Sequence, residues 1–220
     1  MRSLSEHYCF NGLFQLHPLS KGLNMHVLKR FKINRLIKKI KSLQQSRIHN
    51  PASDEATKKE IALYHTLAVI YQSLHGSKKV PFAHDLARES YRAASTLDDS
   101  EAQYILGKDL VDEAKLRADL QEKGTFASPS NEKQMNQLYE EAMAYLVAAE
   151  QLNHIKAKRL HGLCYINGWG VVSDKKKGFD LIVESIDEEN SWDKVPQIFA
   201  ALGLNKPEFY SALTQHRNKS

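Results

Sequence analysis

An internal repeat limits the folds open to this chain more than any other feature of its sequence. Residues 93–107 align without a gap on residues 148–162, and the positions that match are mainly small side chains. Two helices can approach to about 8–10 Å only where the side chains at their crossing are small. A repeated helix junction therefore predicts helical hairpins, which must stack to cover their apolar faces. The small residues of the two segments are Ala94, Ala102, Gly107, Ala149, Ala157 and Gly162.

From Asp54 onward the apolar residues recur at three- and four-residue spacing, which is typical of amphipathic helices. One helix is expected to begin near Asp98, because Glu101 follows three residues later and completes a capping box. Residues 123–131 are rich in turn formers and predict an exposed loop. No segment shows a convincing strand period, so the sequence predicts an all-α chain. Further helices are expected at roughly 55–75, 80–96, 132–152, 155–167, 175–187, 191–202 and 206–217.

The most specific pattern lies between residues 157 and 177. Small and aromatic residues recur at helical spacing over 157–165, and the turn Gly-x-Gly-Val-x-x-Asp follows over 168–174. Gly168 and Gly170 permit positive φ in a tight connection. Asp174 suits the positive end of the helix that begins next. The pattern therefore predicts a helix, a glycine turn and a second helix.

This segment resembles a Sel1-like repeat, one of the tetratricopeptide-like helical repeats, on Ala157, Leu160, Gly162, Tyr165, the turn over 168–174 and Lys177. The resemblance implies a short right-handed α-solenoid of degenerate hairpins. It also implies an adaptor role, since Sel1-like proteins serve in assemblies that include bacterial secretion and host-interaction systems. The chain departs from the family pattern at three places. These are His75-Gly76-Ser77 in place of the glycine turn, an insertion around 113–132, and Gly178 where the family usually has Ala.

Charge is distributed unevenly along the chain. Residues 1–53 carry ten Lys or Arg and a single acid, Glu6, whereas the remaining residues carry 21 bases and 25 acids. The sequence therefore predicts three parts. We expect a poorly ordered extension over 1–24, a basic amphipathic arm over 25–54 and a repeat domain over 55–220.

The basic arm has three interpretations. It could be a helix that caps the repeat array, since such arrays need a cap. It could lie on an anionic membrane surface or in a partner's groove. Nucleic-acid binding is disfavoured, because Phe31 is the only aromatic residue interleaved with its bases. The candidate residues for an anionic surface are Lys29, Arg30, Lys32, Arg35, Lys38, Lys39 and Lys41.

No pattern with a known catalytic mechanism occurs in the sequence, which has no Gly-x-Ser-x-Gly, phosphate loop, His-Glu-x-x-His or Cys-x-x-Cys. His161 and Cys164 lie three apart on one helical face, but a packed or groove-lining His161 is expected rather than a metal ligand. We therefore predict no enzyme activity, cofactor or metal. Two distant cysteines and the absence of a continuous apolar segment predict a protein of the cytoplasm. The basic arm leaves open a second interpretation, in which the protein is peripheral to a membrane or to a membrane-bound complex.

Aromatic residues at helical spacing usually belong to a core, yet on a concave face they would anchor a partner. The sequence favours a non-catalytic scaffold that binds a helix or peptide of another protein. The alternative is a membrane-surface or nucleic-acid-associated protein that acts through the basic arm. The candidate partner-binding residues are Tyr64, Tyr71, Tyr104, His161, Tyr165 and Trp169.

Overall fold

A computed structural model of the chain describes residues 24–49, 54–125 and 127–217. Within these residues there are nine α-helices and one 3-10 turn, Trp192–Lys194, and no strand, so the predicted all-α fold is confirmed. Residues 1–23 of the predicted extension over 1–24 lie outside the described residues. The helices are α1 Asn24–His49, α2 Asp54–Gln72, α3 Ala83–Ser95, α4 Ser100–Glu122, α5 Pro129–Gln151, α6 Ile155–Asn167, α7 Lys175–Glu189, α8 Val195–Ala201 and α9 Pro207–Arg217.

The helices pair as the hairpins α2–α3, α4–α5 and α6–α7, and the apolar core is continuous from one hairpin to the next. One cluster of buried side chains joins α1, α2, α3 and α4. A second joins α4, α5 and α6, and a third joins α6 to the helices that follow it. The first two clusters each join neighbouring hairpins, and in the third the hairpin α6–α7 packs against α8 and α9, so no hairpin covers its apolar surface alone. The predicted stack of hairpins is therefore present.

The junction between successive hairpins repeats a single backbone device. Asp98 and Asn153 both take positive φ, 57° and 61°, and the residue after each caps the next helix. Asp99 accepts a hydrogen bond from the Ala102 N–H at 3.0 Å, and His154 caps α6 in the same way. The prediction of Asp98 as the cap was wrong by one residue. Asp98, with its positive φ, turns the chain, so the side chain of Asp99 is the one that faces the free N–H groups at the start of α4.

Small residues lie where the helices cross. Ala94, Ala102, Ala149 and Ala157 are fully buried. A Cβ on Gly107 would come within 2.8 Å of the Leu146 side chain, and a Cβ on Gly162 within 2.5 Å of the Gly178 carbonyl oxygen. A Cβ on Gly178 would come within 2.3 Å of the Gly162 carbonyl oxygen, so alanine does not fit at this position. In α6 and α7 two glycines face each other and let the two backbones touch.

The glycine turn joins α6 to α7 and also contacts the preceding hairpin. Gly168 ends α6 with a φ of 72°, and the Trp169 N–H donates to the Cys164 carbonyl at 2.9 Å. Gly170 has a φ of 70° and lies against the backbone of Tyr139 in α5. Asp174 caps α7 by accepting from the Lys177 N–H at 2.9 Å. The turn thus both reverses the chain and fixes the hairpin against its neighbour.

The insertion around 113–132 is mainly helical. It lengthens α4 to Glu122, and α5 begins at Pro129 with Ser128 as its cap. The predicted loop over 123–131 is therefore shorter than expected. Ser128 accepts from the Asn131 N–H at 3.1 Å, so α5 begins within the segment that the turn formers had suggested was a loop.

Helix α1 is docked on the first hairpin. Ile33, Leu36 and Ile40 are buried in the same cluster as the α2 side chains, and Gln44 Nε2 donates to Tyr64 Oη at 2.8 Å. Arg47 Nε lies 3.3 Å from Glu60 Oε2, in a pair whose carboxylate is buried. The basic arm therefore covers the open end of the hairpin array, as a capping helix does.

A candidate protein-binding face on α2, α4 and α6

One row of side chains connects the first helices of the three hairpins. His65, Tyr104 and Arg159 each stand three residues before the small residue at the helix crossing, namely Ala68, Gly107 and Gly162. They therefore occupy equivalent positions in the repeat. His65 and Tyr104 each contact a residue just before the first helix of the following hairpin, and Arg159 contacts a residue at the end of α7. We call this surface the α2–α4–α6 face. Its members are His65, Asp99, Glu101, Tyr104, His154 and Arg159.

The three contacts differ in chemistry although their positions match. His65 Nε2 lies 2.5 Å from Asp99 Oδ2. The Tyr104 ring stacks on the His154 ring, with centroids 4.7 Å apart and planes 24° apart. Arg159 Nη2 donates to Glu189 Oε2 at 2.7 Å, and its Nε donates to Ser185 Oγ at 3.1 Å. A histidine–carboxylate hydrogen bond, an aromatic stack and a guanidinium bridge thus perform the same joining role.

His154 uses both ring nitrogens at its joint. Its Nδ1 accepts from the Ala157 N–H at 3.1 Å, which caps α6, and its Nε2 lies 3.0 Å from Glu101 Oε2. A ring nitrogen that accepts carries no proton, so this geometry requires the proton on Nε2, where it is donated to Glu101. This role could not be predicted from the sequence, because histidine is not among the usual capping residues.

Tyr104 is half-buried at the centre of the face. Burial raises the pKa of its hydroxyl, so the phenol stays protonated and able to donate a hydrogen bond. Lys108 and Asp112 are exposed on the same helix, with Lys108 Nζ 2.6 Å from Asp112 Oδ2. An aromatic ring beside both charge signs offers a partner apolar area and polar contacts together.

The structure excludes two of the expected anchors. Tyr64 and Tyr71 are each only 3% exposed, so neither is available to a partner. The physical reason is the position of α1, whose apolar side packs on α2 and covers this part of the helix. Burial also raises the pKa of Tyr71 to about 12. These two tyrosines belong to the core, which corrects the expectation from sequence.

The other expected anchors divide into buried and half-buried residues. His161 is buried, paired through Nδ1 with the Glu150 carboxylate, and therefore joins α6 to α5. Tyr165 is half-buried and accepts from Lys177 Nζ at 2.6 Å. Trp169 is half-buried and stacked on Tyr139, with ring centroids 5.6 Å apart. Tyr104, Tyr165 and Trp169 thus keep surface that a partner can contact, whereas His161 does not.

Neither a metal nor a reactive thiol is indicated around α6. Across the residues that the structure describes, no group of three or more His, Cys, Asp or Glu side chains could hold a metal ion. Burial raises the pKa of Cys164 to about 12, so its sulfur is a neutral thiol at physiological pH. His161 and Cys164 share a helical face but serve packing.

The longer hairpin carries a cavity that the sequence did not predict and that has both apolar and polar walls. The space of about 600 Å³ lies between the end of α4 and the start of α5, and its walls include Glu113, Arg117 and Gln134. Arg117 is already occupied, because it donates to Glu113 Oε1 at 3.2 Å and to Gln134 Oε1 at 3.0 Å. The two charged residues that the structure describes in its walls, Glu113 and Arg117, are therefore paired with each other.

Comparison with known proteins finds similarity among solved structures. No family model matches the chain. No curated protein matches it either. The chain is similar to the crystal structure of a Sel1 repeat protein from Oxalobacter formigenes. The two are 20% identical, the match covers 72% of this chain and 70% of that chain, and the TM-score is 0.24. The helical fold described above rests on the chain's own helices and their packing.

None of the described helices is long and apolar enough to cross a membrane.

Proposed function

We propose that the chain is a non-catalytic scaffold that binds a helix or an extended peptide of a partner protein on the α2–α4–α6 face. The observation that carries the proposal is the half-buried Tyr104 at the centre of this face, beside Lys108 and Asp112. A rigid aromatic side chain loses little entropy on binding, which makes it a suitable anchor. The surrounding charges supply specificity for a partner segment of mixed charge.

The rigidity of the face favours binding of a preformed shape. The row of contacts from His65 to Arg159 fixes the first helices of neighbouring hairpins relative to each other. A surface that is already fixed pays less conformational entropy when a partner is bound. Membership of a larger assembly, such as a bacterial secretion or host-interaction system, and a cytoplasmic location remain predictions from the sequence.

Selection of peptides on the immobilised full-length chain tests the proposal. The selected peptides are then titrated calorimetrically against the wild type, against Tyr104→Ala and against Tyr210→Ala as a half-buried tyrosine on α9. We expect Tyr104→Ala to weaken binding about tenfold or more and Tyr210→Ala to change it little. Equal binding by the wild type and Tyr104→Ala would place the peptide site elsewhere and overturn the proposal.

Hydrogen exchange of the complex adds a second test. A peptide on the proposed face should protect amides of α4 and α6 while leaving α9 unchanged. Protection confined to α7 and α9 would contradict the assignment of the face, even if the affinity were high.

A further inference from the structure

All the charged residues of helix α1 are basic, and most of them lie on its outward side. It contains eight Lys or Arg residues and no acid. On its inner side, Arg47 pairs with Glu60, and Lys29 Nζ donates to Ser73 Oγ at 3.0 Å. Of the other six bases, Arg30 is half-buried and five are exposed, and the structure pairs none of these five with a carboxylate of the residues it describes. These five are Lys32, Arg35, Lys38, Lys39 and Lys41.

Three large apolar side chains are exposed at the start of the same helix. Val27 is 59% exposed, Leu28 69% and Phe31 73%. Phe31, Arg35 and Lys38 follow one another at helical spacing, so they share the side of α1 that faces away from the buried Ile33, Leu36 and Ile40. Single exposed apolar residues are common, but three within about one turn beside a row of bases form a patch.

We propose that this outward face of α1 binds the surface of an anionic lipid bilayer. Val27, Leu28 and Phe31 would enter the boundary between headgroups and acyl chains, and the five exposed bases would contact the lipid phosphates. Apolar residues at one end and Lys or Arg along the face are the two attractions that hold an amphipathic helix on a membrane surface. This surface is separate from the α2–α4–α6 face.

The apolar residues favour a lipid surface over other anionic partners. A nucleic acid would use the bases and would stack on Phe31, but it offers nothing to Val27 and Leu28. An acidic protein would need a shape that fits a convex helix ridge. A bilayer is fluid and adapts to that ridge, while its anionic headgroups complement a face without acids. Both attractions therefore have a partner in a single surface.

The docking of α1 makes the proposed contact different from that of a free amphipathic peptide. The opposite side of the helix is already buried in the core with α2, so the helix exists before it meets the lipid. The apolar residues at its start are free to insert, whereas those on the inner side are occupied by the core. The contact is therefore expected to be reversible and to depend strongly on salt.

Co-sedimentation of the full-length chain with vesicles tests the proposal. The probes are phosphatidylcholine vesicles with and without about 30% phosphatidylglycerol, at about 0.1 M and 0.5 M salt. We expect binding to the anionic vesicles at low salt, and a loss of about tenfold or more at high salt or without the anionic lipid. Binding that is equal for the two vesicle types would overturn the proposal.

Two variants with matched controls separate the two attractions. Replacing Arg35, Lys38 and Lys39 together by Gln should weaken binding about fivefold for each base removed. The control replaces three exposed bases elsewhere, Lys133, Lys175 and Lys176, and should bind nearly as the wild type does. An equal loss in this control would show attraction by net charge alone and would contradict the assignment to α1.

A second pair of variants tests the contribution of the apolar residues to vesicle binding. Phe31→Ser should reduce vesicle binding by about tenfold, whereas Phe82→Ser, at a phenylalanine 68% exposed between α2 and α3, should leave it unchanged. Duplex DNA, used at the same concentration of negative charge as the anionic vesicles, serves as the alternative partner. If DNA bound as tightly as the anionic vesicles and Phe31→Ser had no effect on either, the surface would be a general polyanion site and the lipid proposal would fail.

Discussion

The hairpins α4–α5 and α6–α7 occupy equivalent places in the array but are closed in different ways. The helices of α4–α5 are both 23 residues long, and Gly107 at their crossing faces the side chain of Leu146. The helices of α6–α7 have 13 and 15 residues, and Gly162 faces the backbone of Gly178. The same repeat position therefore supports side-chain packing in one hairpin and contact between backbones in the other.

Length explains the difference. A long hairpin buries enough side chains to be held by ordinary interdigitation, and its tip adds a polar network around Arg117 and Asn131. A short hairpin has fewer contacts, so close approach of its backbones contributes a larger share of its packing. A backbone atom cannot rotate out of the way, whereas a leucine side chain can change its position. The short hairpin should therefore tolerate added atoms less well.

The glycine turn provides the largest expected contrast. Gly170→Ala should destabilise the chain by about 3–4 kcal/mol, because alanine is strained at this positive φ and its Cβ would meet the Tyr139 carbonyl. Gly124→Ala, at a similar φ of 73° but in open space, should cost only about 1 kcal/mol. Denaturant titration of both variants measures the difference. Equal losses would mean that strain alone matters and that the turn does not bear on α5.

The helix crossings should show a smaller contrast. Gly162→Ala is expected to cost about 2–3 kcal/mol after the gain in helix propensity, since the α6 and α7 backbones would have to separate. Gly107→Ala should cost less, about 1 kcal/mol, because its Cβ would press mainly on the Leu146 side chain, with the Ala142 carbonyl oxygen 3.2 Å away, and alanine favours the helix by about 1 kcal/mol. The measurement is the free energy of unfolding. A larger loss in Gly107→Ala would reverse our account of the two hairpins.

Acid should weaken the long hairpin through Glu113. Burial alone would raise the pKa of this carboxyl, but hydrogen bonds and charge from Arg88 and Arg117 outweigh burial and lower it. A lowered folded-state pKa contributes stability above about pH 4.5, and this contribution is lost as the pH falls through the folded-state value.

Replacing Glu113 by Gln tests this contribution. The variant should lose about 1 kcal/mol near neutral pH and should approach the wild type as the pH falls towards about 3. In the short hairpin the hydrogen bond from Arg159 lowers the pKa of Glu189, which is more exposed, so Glu189→Gln should show a smaller effect of the same sign. A difference for Glu113→Gln that stays constant with pH would exclude its carboxylate as the cause.

The smallest effect concerns reactivity rather than stability. Because burial raises the pKa of Cys164 to about 12, its thiol should react with a disulfide reagent far more slowly in the folded chain than in denaturant. The test uses a Cys9→Ser variant, so that only Cys164 can react. Since Cys164 lies in the core shared by the two hairpins, its rate of labelling reports how often they separate. Rapid labelling under native conditions would contradict a tightly closed junction.

Part of this contrast was predictable from the sequence. The repeated small residues and the glycine turn identified stacked helical hairpins, because close packing selects the same residue types wherever helices cross. The insertion around 113–132 was harder to interpret. Its Gly, Ser and Pro predicted a loop, but Pro at the start of a helix and Ser as a cap are also typical of a helix beginning. Local composition could not distinguish the two.

The candidate binding face was less predictable than the fold. Tyr64 and Tyr71 have the same helical spacing as Tyr104, and only the docking of α1 decides which of them are covered. The joint formed by His65, Tyr104 and Arg159 also left no sequence signal, because three different residue types occupy its equivalent positions. Identity between repeats reveals packing, whereas this joint depends on complementary partners that change from one junction to the next.

These unlike joints give the hairpins a fixed order. If a copy of the α6–α7 hairpin replaced α4–α5, Arg159 would stand opposite the His154 ring in place of the Tyr104 ring. The Nδ1 atom of that ring already accepts a hydrogen bond from the Ala157 N–H. The contacts at each junction therefore suit the hairpin that follows it in the chain. An exchange of two hairpins would remove these contacts, even though the small residues at the helix crossings are the same in both.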